Sequence, residues 1–150
     1  LAIPFFLRHF GIKRVMLISM FAWVFRFGLF GLGDPGSGLW MLILSMIVYG
    51  MAFDFFNISG SLFVELEAKP EIRASAQGLF FMMTNGLGAI IGGYASGAVV
   101  DAFSVYSDGM LISREWPDIW FIFAGYALVI GILFALVFRY KHQPEELSKK

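Results

Sequence analysis

Asp54 is the residue from which any chemistry of this chain has to be argued, because it is the single carboxylate inside an apolar run that extends over residues 39–64. If that run is a helix, successive side chains turn by about 100°, and Tyr49, Gly50, Phe53, Asp54, Asn57 and Ser61 fall on one half of it. Val48, Met51, Phe55, Ile58 and Leu62 take the other, lipid-like half. A carboxylate, an amide and aromatic rings on one face describe a helix that lines a wet cavity. Asp54 stands about ten residues, or roughly 15 Å, from the polar end of its run, which is near the middle of a bilayer. A carboxylate there costs about 2.5–3.5 kcal/mol, so it calls for a function or a partner. The competing reading is that Asp54 is protonated or paired and only ties helices together.

Other polar residues in apolar surroundings are open to two readings. Arg26 lies at a depth not far from that of Asp54, so the two are able to pair; alternatively Arg26 snorkels toward the nearer surface. Gly88 and Gly92, and Gly93 and Gly97, repeat the small-xxx-small spacing that lets helices pack closely, and no strand precedes them as a dinucleotide site would require. Thr84 and Asn85 are placed either to face a cavity or to bond between helices. The sequon Asn57-Ile58-Ser59 lies inside an apolar run, where glycosylation does not reach. His9 and His142 are read as loop residues. No HExxH or GxSxG occurs, and Asp54 alone offers neither a dyad nor a nucleophile, so the chain is read as no enzyme.

The elements that must hold these residues follow from composition. Hydrophobic residues make up 59% of the 150 and charged residues 15%; the mean hydropathy is +0.76. Such a chain expects lipid. Its apolar residues come in four runs, approximately 15–33, 39–64, 74–100 and 119–138. Each is near or above the roughly twenty residues that cross about 30 Å of hydrocarbon as a helix. Residues 1–7 are too few to cross and are expected to be the end of a preceding helix. Without cysteine there is no disulfide or thiolate site, and no metal site or cofactor is expected. A net charge of zero gives no basic surface for nucleic acid. The basic start, short apolar stretch and small-residue cleavage site of a signal peptide are not read at its opening residues, so targeting is expected to lie upstream or within the helices.

Lys and Arg collect in alternate loops: Arg8, Lys13 and Arg14 before the first span, Lys69 and Arg73 between the second and third, and Arg139, Lys141, Lys149 and Lys150 after the fourth. The positive-inside rule places these loops, and with them the C-terminus, in the cytoplasm. The turn-forming residues 33–38 predict an antiparallel hairpin between the first two spans. Pro70, followed by Glu71, suits the start of the third helix. Glu71 and Arg73 are either that helix start or charges that hold one conformation. The longest loop, 101–118, leads into Trp116 and Trp120, which suit a membrane interface.

The run from Tyr49-Gly50-Met51-Ala52-Phe53-Asp54 through Asn57 to Ser61, followed by Pro70-Glu71-Ile72-Arg73-Ala74-Ser75-Ala76-Gln77-Gly78, resembles the bacterial nucleoside permeases. These are nucleoside:proton symporters of the major facilitator superfamily. The likeness begins at Pro4-Phe5-Phe6-Leu7 and continues through Met82-Met83-Thr84-Asn85-Gly86 and Phe123-Ala124-Gly125-Tyr126 to Tyr140-Lys141-His142. It implies an all-α membrane protein with a major facilitator helical bundle, of which this chain is part of the C-terminal six-helix domain: the end of helix 8 and helices 9–12. It also implies that Tyr49, Phe53 and Asp54 contact a nucleoside. Asn57 is added from the helical projection. Asp54 is in addition the proton-coupling candidate, because a carboxylate held out of water is a natural proton acceptor. The partners implied are a nucleoside, protons, the lipid bilayer of the bacterial inner membrane and the remaining helices of the same transporter, with no nucleic acid. Two other readings stand beside this one: a transporter of the same fold for another polar solute such as a sugar, and a structural or sensor membrane protein.

Overall fold

The computed structural model describes residues 2–107 and 110–140. Helix α1 covers Ala2–Leu32, α2 Leu39–Glu67, α3 Arg73–Phe81, α4 Gly88–Ala102 and α5 Trp116–Val137. A π-helical turn, Met82–Leu87, joins α3 to α4, so that 73–102 is one continuous rod. Four helices, Ile3–Leu32, Leu39–Glu67, Arg73–Ala102 and Trp116–Val137, are long and apolar enough to cross a membrane.

The expected end of a preceding helix is present as a first helical piece that extends beyond residue 7, and a second helical piece follows it up to Leu32. The first piece continues through Arg8 and His9 to a break at Gly11, whose φ of 75° and ψ of 164° are open to glycine and costly for other residues. His9 is therefore helical, not a loop residue, and its Nδ1 lies 2.9 Å from the Phe5 carbonyl oxygen. His142, Lys141, Lys149 and Lys150 fall outside the described residues. Leu7, Ile12, Val15 and Met16 flank the break and pack with Phe55 of α2 as the buried core. Lys13 donates to the Ala135 carbonyl near the end of α5 at 3.0 Å, meeting a backbone group at a helix C-terminus with a cation.

Between α1 and α2 the turn is held as the sequence predicts: Asp34 accepts hydrogen bonds from the backbone N–H groups of Gly36 and Gly38. The α3 start differs from expectation. Pro70 stands in the turn ahead of the helix, and Arg73 is its first residue, with the Ala76 N–H bonded to the Ile72 carbonyl at 2.9 Å. Two helix-to-helix contacts fix α3 on α2. Ser61 Oγ donates to Gln77 Oε1 at 3.0 Å while Gln77 Nε2 donates back to the Ser61 carbonyl at 2.7 Å, and Gly60 lies so close to the Phe80 ring that a Cβ there would collide with it.

The glycines of α4 behave otherwise. Gly92, Gly93 and Gly97 have open space where a Cβ would stand, and Gly88 meets only the Met83 carbonyl oxygen of its own rod. The close packing expected of this spacing is thus not made among the described residues; it is made at Gly60. Nor is the loop 101–118 irregular throughout: Ser104–Ser107 and Met110–Arg114 pair as antiparallel strands β1 and β2, with a bulge between Val105 and Tyr106. Arg114 Nε donates to Ser104 Oγ at 3.1 Å across that hairpin, the one departure from an all-helical chain among the described residues.

Candidate functional site

Helix α2 turns one face to α1 and leaves another open, and the division is not quite the one the projection predicts. Ala52, Phe55, Ser59 and Gly60 are buried. Phe55, assigned by sequence to the lipid-like half, instead meets Phe6 edge to face at 5.2 Å inside the core. Met51 and Ile58, from the same half, are exposed. A helical wheel shows which residues share a face but not which neighbour covers it, and here α1 covers the edge that carries Phe55.

Tyr49, Phe53, Asp54 and Asn57 are brought together on the open face as expected. Tyr49 is 38% exposed and Phe53 41%, with their ring centroids 6.0 Å apart at 43°. Asp54 is exposed, and among the described residues its carboxylate has neither an ion-pair nor a hydrogen-bond partner. Asn57 is half-buried; its Nδ2 donates to the Phe53 carbonyl at 2.9 Å, one turn back along the helix. That leaves Asn57 Oδ1 pointing away from α2, where it accepts from Asn85 Nδ2 at 3.4 Å. Ser61, on the same half, is engaged by Gln77.

Asn85 sits within the π-helical turn and also donates to Thr84 Oγ1 at 3.1 Å, while Thr84 donates to the Phe80 carbonyl at 2.8 Å. Of the two sequence readings of this pair, bonding between helices is the one the structure shows for Asn85. A one-residue widening of an α-helix turns the side chains that follow it, and such turns recur at functional sites. Here the widened turn aims an amide at the polar face of α2.

Arg26 does not pair with Asp54. Its guanidinium carbon lies 5.0 Å from the Trp23 ring centroid, 5.3 Å from Phe27, 5.2 Å from Phe30 and 4.5 Å from Tyr49. The residue is half-buried, and its Nε is buried without a hydrogen-bond partner among the described residues. The sequence held a signal for this cage, since Trp23, Phe27 and Phe30 stand three before, one after and four after Arg26. Tyr49 could not be added from sequence, because it belongs to the next helix. Glu71 and Arg73 stand at the start of α3, Glu71 exposed and Arg73 half-buried with an Nε that has no hydrogen-bond partner.

A cavity of about 620 Å³ lies among α1, α2, α4 and α5, lined by Trp23, Phe27, Phe56, Ile91, Trp120 and Phe123. Its walls are almost wholly apolar and include none of Tyr49, Phe53, Asp54 and Asn57. A polar solute would lose its hydration there without compensation. The polar face of α2 is therefore the better place for one: rings for an apolar or stacking surface, and a carboxylate and amides for hydrogen bonds.

Four helices long and apolar enough to cross a membrane, with a polar, aromatic-flanked face on the second, define a polytopic helical membrane protein, and its major facilitator fold is shown by superposition on solved transporters. A crystal structure of nucleoside transporter NupG superposes with a TM-score of 0.82 at 56% identity over 93% of this chain and 34% of that one. The structure of an Asp-to-Ala mutant of that transporter superposes with a TM-score of 0.83 at 55% identity, over 92% of this chain and 33% of that one. The nucleoside H+ symporter family model matches residues 1–143, and the chain belongs to that family. It is 57% identical to the xanthosine permease of Escherichia coli (strain K12) over all of its own length and 35% of that protein. It is equally 57% identical to the nucleoside permease NupG of the same organism, over 95% of this chain and 33% of the relative. The chain thus spans about a third of the length of the curated relatives it matches.

Proposed function

We propose that the protein carries nucleosides inward across the bacterial inner membrane together with protons, by alternating access, and is not an enzyme. In this reading the chain is part of the C-terminal six-helix domain, contributing the end of helix 8 and helices 9–12, with its C-terminus in the cytoplasm. The observation that carries the proposal is the open face of α2, where Tyr49 and Phe53 flank Asp54 and Asn57 in a chain of the nucleoside H+ symporter family. The relatives' names, xanthosine permease and nucleoside permease, support the substrate class.

The physical division of labour follows from side-chain chemistry. Phe53 offers a ring against a nucleobase, a contact that tolerates any base because every base has a π-face. Asp54 accepts hydrogen bonds from hydroxyl or amine groups, and Asn57 places its amide one turn further along. Asp54 is first a substrate ligand and second a proton carrier, since a carboxylate near mid-membrane exchanges its proton as access alternates between the two sides. A helix apolar all round would support the structural or sensor reading, whereas the open face of α2 carries Asp54 and Asn57. A sugar carrier of the same fold would need the carboxylate but not two exposed rings beside it.

The test is radiolabelled uridine uptake by the full-length protein in cells lacking their own nucleoside permeases, with and without a protonophore. Uptake that collapses with the gradient supports symport. Gradient-independent uptake would remove the proton from the proposal, and no uptake of any nucleoside by a well-expressed protein would remove the substrate.

A further inference from the structure

The cage around Arg26 reaches the proposed site through one ring. Three of its four rings, Trp23, Phe27 and Phe30, belong to the same helix as the arginine, whereas the fourth and nearest, Tyr49 at 4.5 Å, belongs to the open face of α2. Arg26 makes no ion pair among the described residues, and its Nε is buried without a hydrogen-bond partner. Among the described residues, ring quadrupoles are what face this charge, and a guanidinium held partly out of water binds them more tightly than one in water.

Tyr49 is correspondingly constrained. The cation stands over its ring, and the Trp23 indole meets it edge to face at 5.4 Å and 79°. A ring covered in this way cannot stack a nucleobase on the face that Arg26 occupies. What it can offer is its hydroxyl, which makes no hydrogen bond among the described residues. The cation on one side of the ring and the Trp23 indole against it fix the ring's orientation, and with it the direction of that hydroxyl. Phe53, at 6.0 Å from Tyr49 and without a cation over it, remains the ring for stacking.

We propose that Arg26 is a positioning residue for nucleoside binding: it holds the Tyr49 ring from behind and directs its hydroxyl, as a hydrogen-bond donor, to an acceptor on the base or ribose. This rests on the assignment of the α2 face to the nucleoside and adds a residue that does not touch the substrate.

The experiment is a mutant cycle on the full-length protein, read as KM and kcat for uridine uptake at matched amounts in the membrane. Arg26→Met removes the charge and keeps an apolar side chain. It is expected to raise KM about tenfold with kcat held within about twofold, and Arg26→Lys, which keeps a cation, to recover most of that loss. In a Tyr49→Phe background, Arg26→Met should add less than about a twofold further rise, because the hydroxyl through which it acts is gone. A KM unchanged by Arg26→Met, or raised by the same factor in both backgrounds, overturns the proposal. If Arg26→Met does not reach the membrane, Arg26→Gln, which also removes the charge, takes its place in the cycle with Tyr49→Phe, and additive changes overturn the proposal. A parent protein that takes up no nucleoside would sink the functional assignment itself. Normal uptake with additive changes would sink only the role of Arg26.

Discussion

Asn85 Nδ2 donates to Asn57 Oδ1 at 3.4 Å, and this contact joins the π-helical turn of the third membrane rod to the polar face of the second. The bond is long, hence weak, and each amide is also tied to its own helix, Asn57 to the Phe53 carbonyl and Asn85 to Thr84 Oγ1. A weak contact between two separately anchored amides can break and re-form as the helices shift, which suits the nucleoside-binding role proposed for this face.

Replacing Asn85 by alanine should therefore cost little stability, on the order of 0.6 kcal/mol for a membrane hydrogen bond of average strength. Asn57→Ala removes both that bond and an amide of the proposed site, and should raise the KM for uridine more than Asn85→Ala does. Thermal unfolding in detergent and uptake kinetics on the two variants check this. Equal KM values would take Asn57 out of the binding face.

At Gly60, α2 lies directly against α3. A methyl group there meets the Phe80 ring, and overpacking of this kind costs about 1–3 kcal/mol. Gly60→Ala should lower the thermal midpoint, and Gly60→Ala with Phe80→Leu should recover part of it. By contrast Gly93→Ala, with open space at its Cβ position in this chain, tests whether another part of the protein packs there: a comparable loss would show that it does.

The reciprocal Ser61–Gln77 pair offers a measurement of coupling between helices. Both side chains take part in the pairing, so Ser61→Ala and Gln77→Ala should be non-additive, with an interaction energy of roughly 0.6–1.7 kcal/mol, the span of interhelical hydrogen bonds in membranes. Additive losses would mean that the two side chains are held by other neighbours.

Much of this architecture could be read from the sequence because run length and bilayer thickness are commensurate. The four rods appear where four apolar runs do, and the 100° projection assembles Tyr49, Phe53, Asp54 and Asn57 correctly because it depends on one helix only. What required a second element was not legible. Phe55 looks like its lipid-facing neighbours until α1 covers it. Arg26 has its local rings in sequence, but Tyr49 comes from across the helix pair. Gly11 sits among charges that read as a loop, and its positive φ instead joins two helical pieces directly at a sharp break. The hairpin at 104–114 is short, and the bulge at Val105/Tyr106 breaks the strict alternation by which strands are recognised.

Orientation follows from loop charges and can be tested on a chain that itself contains no cysteine. In a full-length background without other accessible thiols, Ser37→Cys should react with an impermeant maleimide added to intact cells. Lys69→Cys should react only after permeabilisation. The opposite pattern would invert the topology.

The central claim is that Asp54 binds the nucleoside on the open face of α2, and its most direct test is uridine binding to the purified full-length protein and its Asp54→Ala variant by calorimetry. The account predicts binding by the parent and at least about a tenfold loss in a variant that unfolds at the same temperature, since a charged acceptor is removed from the site. Binding of equal strength to both proteins would contradict it and return Asp54 to a structural role.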